Sequence, residues 1–153
     1  LLSVLERNGD PQSLSKQYGE ALSYGFFTVD GAFALLDYLK NKAYGIYATT
    51  NGLSTTQYRR IEGSGLGKYF DKVFVSEDAG HQKPEKAYFD YVISNIPEND
   101  KSKMLIVGDS QSSDILGGIN AGIDTCWYNP EGLKAKYPSK YTIASLEGLM
   151  SIL

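Results

Sequence analysis

The chain has 153 residues, 42% of them hydrophobic and 22% charged, and 15 basic against 18 acidic side chains leave it at −3 at pH 7. That is enough length and apolar content for one folded domain, or one and a fragment, so disorder as the main state is excluded. The acidic balance, with no basic run beyond Arg59 and Arg60, offers no stripe to neutralise a nucleic-acid backbone, and no apolar run is long enough to span a bilayer.

In chain order, residues 1–7 and 14–27 are helical in composition and are split by the turn-forming run Asn8-Gly9-Asp10-Pro11, with no strand between them. They read as a separate helical element. From residue 28 the pattern alternates: helix 31–42, strand 45–49, helix 54–63, strand 73–75, helix 84–96, strand 104–107, helix 114–121, strand 125–128, a weaker strand 141–143 and helix 145–153. The last helix is drawn from Leu146, Leu149, Met150 and Leu153, spaced as one apolar stripe. Ser54 is expected as an N-cap, Gly63 and Gly65 as left-handed exits from the same helix, and Pro84 in the first turn of its own. Strands separated by helices run parallel, so the fold class is a helix-flanked α/β sheet that presents its ligands beyond the carboxyl ends of the strands.

A single cysteine, Cys126, makes no internal disulfide, and with the single histidine, His81, it cannot build a four-ligand zinc site. The chain reads as intracellular, with the cytoplasm as its expected compartment.

Three polar clusters follow strand candidates at that end. Thr49-Thr50-Asn51-Gly52 offers a hydroxyl and two backbone amides ahead of a helix, a phosphate cradle or simply a capped turn. Gly80-His81-Gln82-Lys83-Pro84 places Lys83 before a proline, in extended backbone, where its ammonium can reach over the sheet edge or stay a solvated surface group. His81 has no partner identifiable in sequence and reads as a loop residue. The third cluster runs from Leu105 through Gly108-Asp109-Ser110 to Asp114. Two carboxylates this close repel unless a cation lies near, and hard oxygen ligands suit Mg²⁺; alternatively Asp114 caps the helix and Asp109 closes a turn. Gly117 and Gly118 either let that helix pack closely on the sheet or weaken it.

These clusters resemble the haloacid dehalogenase-like (HAD) hydrolases. Thr50-Asn51-Gly52 is similar to the second motif of that family, Lys83-Pro84 within Gln82-Lys83-Pro84-Glu85 to the third, and Gly108-Asp109-Ser110 with Asp114 to the fourth. Val75-Ser76-Glu77-Asp78 and the run from Ala121 to Pro130 resemble more narrowly the helical-cap subgroup of YjjG/YfnB-type pyrimidine 5′-nucleotidases. The resemblance implies a Rossmann-like three-layer parallel sheet, with residues 28–153 as the core domain and 1–27 as the C-terminal part of a helical cap. It also implies a first motif, Asp-x-Asp, on a strand at the centre of the sheet, and no Asp-x-Asp occurs in the chain. The expectation is that this strand and most of the cap precede Leu1, and that without it the remaining strands divide into two halves.

By resemblance, the complete enzyme hydrolyses a phosphomonoester, a nucleoside 5′-monophosphate, through an aspartyl-phosphate on the absent aspartate. Thr50, Lys83 and Asp109 are the implied catalytic residues; Thr50, Asn51, Gly52 and Lys83 bind phosphate; Asp109 binds Mg²⁺ directly and Asp114 directly or through water. The implied partner is a small phosphorylated metabolite, with no nucleic acid and no membrane, and the implied state is a monomer or homodimer. Two alternatives remain open: a catalytically inactive HAD-like binding domain, and a HAD phosphatase for a sugar phosphate or phosphoglycolate. A dinucleotide-binding loop is disfavoured, because Gly63, Gly65 and Gly67 lack the Gly-x-Gly-x-x-Gly spacing and follow a helix.

Overall fold

The computed structural model describes Asp10, Ser13, Leu14, Gln17, Tyr18, Ala21 and residues 24–153. The helix read at 1–7, the greater part of the turn after it, and residues 15, 16, 19, 20, 22 and 23 of the helix read over 14–27 lie outside the described residues. From there the chain runs α1 (Ala32–Asn41), β1 (Tyr47–Thr50), α2 (Ser54–Gly63), β2 (Lys72–Val75), a short α3 (Ser76–Ala79), α4 (Lys86–Ser94), β3 (Leu105–Gly108), α5 (Leu116–Ala121), β4 (Asp124–Tyr128) and β5 (Tyr141–Ile143), with 3-10 turns at Gly67–Tyr69, Lys101–Lys103 and Leu146–Ser151. None of these helices is long and apolar enough to cross a membrane.

Each pairing is parallel: Tyr47 of β1 lies opposite Lys72 of β2, Leu105 of β3 opposite Asp124 of β4, and Cys126 of β4 opposite Tyr141 of β5. The strands form two separate sheets, β1-β2 and β3-β4-β5. No backbone ladder joins β1 to β3, so helices hold the halves together. Phe74 of β2, Tyr88, Phe89 and Val92 of α4 and Ala121 of α5 form one buried cluster, against which Tyr47 of β1 and Ile106 of β3 pack. On the other face of β3, Leu105 and Val107 pack with Leu35 of α1, Cys126, Ile143 and Leu149. The neighbouring α1 residue Leu36 joins Ile46 and Tyr69 beside β1. Alternate residues of β3 thus point to opposite clusters, as the period of a strand requires, and α1 and α4 each span the gap from one side. The result is three layers.

The α4 face holds the densest packing. Tyr88 and Phe89 meet edge to face with centroids 5.6 Å apart, and Tyr88, wholly buried, donates its hydroxyl to the Phe74 carbonyl at 2.8 Å. Burial pushes the Tyr88 phenol well above its ordinary pKa. Each such buried ring contributes about 1.5–3 kcal/mol relative to exposure. Gly117 and Gly118 resolve toward close packing: a Cβ on Gly117 would strike the Phe89 ring, and one on Gly118 would come within 2.5 Å of Ile106 and Thr125 side-chain carbons.

Four local expectations are corrected. Ser54 is the first residue of α2 rather than its cap; Leu53 occupies the cap position with no side-chain bond, and Ser54 is engaged from outside the helix. Gly65 adopts the left-handed conformation, at φ 73, but Gly63 remains helical and abuts the Phe26 ring. Pro84 lies ahead of α4, which starts at Lys86. The final segment is a 3-10 helix; Leu146, Leu149 and Met150 of the expected stripe pack on one cluster with Ile152, while Leu153 stays exposed.

Candidate active site

The carboxyl ends of β1 and β3 carry the polar residues, and the loop before α4 reaches across to both. Thr50 ends β1, and among the described residues its hydroxyl makes only a long contact, 3.4 Å to the Asn51 carbonyl. The Asn51 side chain turns toward Lys83: Nδ2 donates to the Lys83 carbonyl at 3.0 Å, and the Lys83 amide donates to Oδ1 at 2.9 Å. Gly52, at φ 137, donates its amide to Ser76 Oγ at 2.9 Å. Just beyond, the Ser54 amide donates to Glu77 Oε2 at 2.7 Å, while the Ser54 hydroxyl and, at 2.8 Å, the Tyr58 hydroxyl donate to Asp78. The start of α3 thereby caps the start of α2. The hydrogen bond to Asp78 is the main cause of a raised Tyr58 pKa.

Lys83 is not a solvated surface lysine. Only 10% of its side chain is exposed, and Nζ donates to the Thr49 carbonyl at 2.8 Å and to Asp114 Oδ1 at 2.7 Å. An ammonium carries three donors, so one N–H has no partner among the described residues. A buried cation set between the two strand ends, with a donor to spare, can stabilise a further oxyanion there.

Asp114 lies in a π-turn, Gln111–Ile115, between β3 and α5, where both the Asp114 and Ile115 amides donate to the Ser110 carbonyl. Such turns are rare and recur at functional sites. The cap is Ser110, whose Oγ accepts from the Ser113 amide, so capping is not the role of Asp114. The Asp114 side chain is 8% exposed; Oδ1 takes Lys83 and Oδ2 takes the Ser110 amide at 3.1 Å. The carboxylate rests against Gly108, where any Cβ would collide with it. Asp109 is different. Its backbone carbonyl accepts Trp127 Nε1 at 2.9 Å, and its exposed carboxylate has no hydrogen bond or ion pair among the described residues.

Thr50, Asn51, Lys83 and Asp114 are thus drawn together, with Asp109 on the adjoining turn. Gly52 is beside them, its amide directed to Ser76. Among the described residues no three Asp, Glu, His or Cys side chains are grouped to hold an ion. One unpaired carboxylate, Asp109, beside a partly satisfied one suits Mg²⁺, which binds through one or two carboxylates and keeps several waters.

Residues 4–128 match the family model described as haloacid dehalogenase-like hydrolase. The chain belongs to this family. It is 44% identical, along its whole length, to the HAD-hydrolase YfnB of Bacillus subtilis, and 38% and 39% identical to the pyrimidine 5′-nucleotidases PynA of Streptococcus pneumoniae and YjjG of Escherichia coli, covering 100% and 95% of this chain. It spans 65–66% of the length of these three relatives. The crystal structure of YfnB bound to magnesium superposes with a TM-score of 0.90 at 43% identity, covering 99% of this chain and 67% of that one.

Several residues of this HAD hydrolase site stand in the runs quoted from the sequence but are given no role there. Ser110 orients Asp114 through its amide, Ser76 and Glu77 brace the loop after β1, and Trp127 anchors Asp109 from the neighbouring strand. Only Ser110 carries a local signal, a serine three residues before a backbone donor at a helix start. The others act through contacts distant in sequence.

Proposed function

We propose that the chain supplies the phosphate- and metal-binding part of a Mg²⁺-dependent phosphomonoester hydrolase acting on nucleoside 5′-monophosphates. The observation that carries this reading is Lys83, buried between the ends of β1 and β3 with one N–H unused. In the proposed site the Thr50 hydroxyl and the Asn51 amide donate to phosphoryl oxygens, with Gly52 shaping the turn, and the spare Lys83 N–H offsets charge as phosphorus is attacked. Asp114 holds Lys83 in position and Asp109 is the direct ligand of Mg²⁺. The ion, when bound, neutralises charge on the transferring phosphoryl group.

The attacking carboxylate is proposed to come from a further segment, since the chain contains no Asp-x-Asp. A strand between β1 and β3, neither of which pairs on that side, would bring a carboxylate to the same end. Transfer to it breaks the ester P–O bond and forms an acyl phosphate that water cleaves. Residues 28–153 form the core domain in this reading and residues 1–27 the end of a helical cap, and the cytoplasm is the compartment that suits its lone, buried thiol.

The names of PynA and YjjG support pyrimidine nucleotides as the substrate class. A phosphatase screen of the full-length protein with Mg²⁺ tests it, comparing pyrimidine nucleoside monophosphates with sugar phosphates and phosphoglycolate. Preference for the nucleotides is expected. Preference for another ester would reassign the substrate, and no metal-dependent turnover on any would make the domain a phosphate-binding module.

A further inference from the structure

The Asp109 carboxylate is exposed and has no hydrogen bond or ion pair among the described residues, so its place is set by the backbone that carries it. One side chain holds that backbone. Trp127 lies opposite Gly108 in the β3-β4 ladder, and because Cys126 faces the α1 cluster, strand alternation puts Trp127 on the α5 side with Thr125, whose methyl group lies against Gly118. From there Trp127, only 4% exposed, reaches past the end of β3 and donates Nε1 to the Asp109 carbonyl at 2.9 Å. The N–H is the single polar group of the indole, and in this buried position it is spent on that carbonyl.

The next residue is tied differently. The Ser110 amide and carbonyl both bond to Asp114, which also holds Lys83, so a change at Asp114 disturbs the lysine and the turn together. The Trp127 bond engages Asp109 alone. Mg²⁺ takes few protein ligands and keeps several waters, so its affinity depends on how closely each carboxylate is already placed. We propose that Trp127 is a positioning residue for the metal site: its Nε1–H fixes the Asp109 carbonyl and, through that residue's backbone, holds the carboxylate in an orientation ready for Mg²⁺. The inference rests on the phosphatase reading above, in which Asp109 is the direct ligand. Without the bond the turn samples other orientations, the fraction of molecules ready for the ion falls, and the cost appears in metal affinity. Turnover at saturating Mg²⁺ suffers less, because the attacking and phosphate-binding groups are untouched.

The test is Mg²⁺ binding to the full-length protein, measured by calorimetry, beside kcat at saturating Mg²⁺ for the ester it hydrolyses best, in the wild type, Trp127→Phe and Asp109→Asn. A further form carries benzothienylalanine in place of Trp127 alone; it keeps the shape of the indole and puts sulfur where the N–H was, so hydrogen bonding is separated from packing. In both Trp127 forms the Kd for Mg²⁺ is expected to rise about tenfold, with a smaller fall in kcat. A Kd within about twofold of wild type in the benzothienylalanine form overturns the role of Trp127, whatever Trp127→Phe does, and so does a kcat that falls as far as the affinity. Weakened binding by Asp109→Asn leaves the phosphatase reading standing in either case. A wild type that neither binds Mg²⁺ nor hydrolyses any ester, or an Asp109→Asn that binds the ion as tightly as wild type, overturns that reading and the inference with it.

Discussion

The side chain of Asn51 and the backbone of Lys83 hold each other by two hydrogen bonds, of 3.0 and 2.9 Å, across 32 residues of sequence. The pair fixes the loop before α4 against the end of β1, and the Lys83 ammonium can then reach Thr49 and Asp114. Asn51→Ala leaves a part-buried amide and carbonyl unpaired. It should lower stability by about 1–3 kcal/mol, read from urea unfolding, and reduce turnover with it.

Lys83 and Asp114 are a buried pair, so removing one partner strands the other. Lys83→Ala should cost on the order of 3–5 kcal/mol in stability and, in the full-length enzyme, at least about 10²-fold in kcat. A double variant, Lys83→Met with Asp114→Leu, should regain much of the stability and none of the turnover. Calorimetry and steady-state kinetics separate the two effects, and near-wild-type turnover by Lys83→Ala would refute the assignment.

Gly108 is held to glycine by the Asp114 carboxylate lying against its α-carbon. Gly108→Ala must push that carboxylate away, with an overpacking cost of about 1–3 kcal/mol. The expected signature is a lower Tm together with loss of activity, though no polar group has been removed.

Asp109 presents the opposite case, an exposed carboxylate without a protein partner. Asp109→Asn should change unfolding free energy by no more than about 0.5 kcal/mol while lowering turnover by about 10²-fold or more. Titration with Mg²⁺ should show the variant's apparent affinity weakened; unchanged metal dependence counts against Asp109 as the ligand.

Asp71 links α1, β1 and β2: it accepts from Lys40 Nζ at 2.6 Å and from the Ile46 amide at 2.8 Å. The Lys40 bond first, then the Ile46 amide, hold its pKa below the ordinary value of 3.8. A depressed carboxylate contributes stability above its unfolded pKa and loses it as pH falls through the folded one, so the contribution should fade below about pH 4. Asp71→Asn should lower the urea midpoint at pH 7 and flatten its decline in that acid range. Because Asp71 is 44% exposed, the effect is a small one, reduced further by salt.

Much of the local structure was legible because hydrophobic period and turn residues act over a few neighbours. The helix at 54–63 and the strand at 141–143 have the observed limits, and the other strands shift by at most two residues at either end. What failed depended on distant partners. Ser54 looks like a cap in isolation, but Glu77 and Asp78, arriving from the end of β2, engage its polar atoms instead. The helix expected at 114 begins as a π-turn at Gln111, where one Ser110 carbonyl takes two amides. The last segment is a 3-10 helix, and Ile152 rather than Leu153 joins Leu146, Leu149 and Met150 in the cluster it meets.

From its residues alone the chain determined a parallel α/β architecture and the set of polar groups at its strand ends, since alternation of short apolar runs with amphipathic segments leaves few other ways to bury the core. Only the tertiary structure decided which of those groups meet. Lys83 became a buried partner of Asp114 rather than a surface charge, and Asp109 stayed free, because α1 and α4 bind two unpaired half-sheets into one body and carry the ends of β1 and β3 to the same edge.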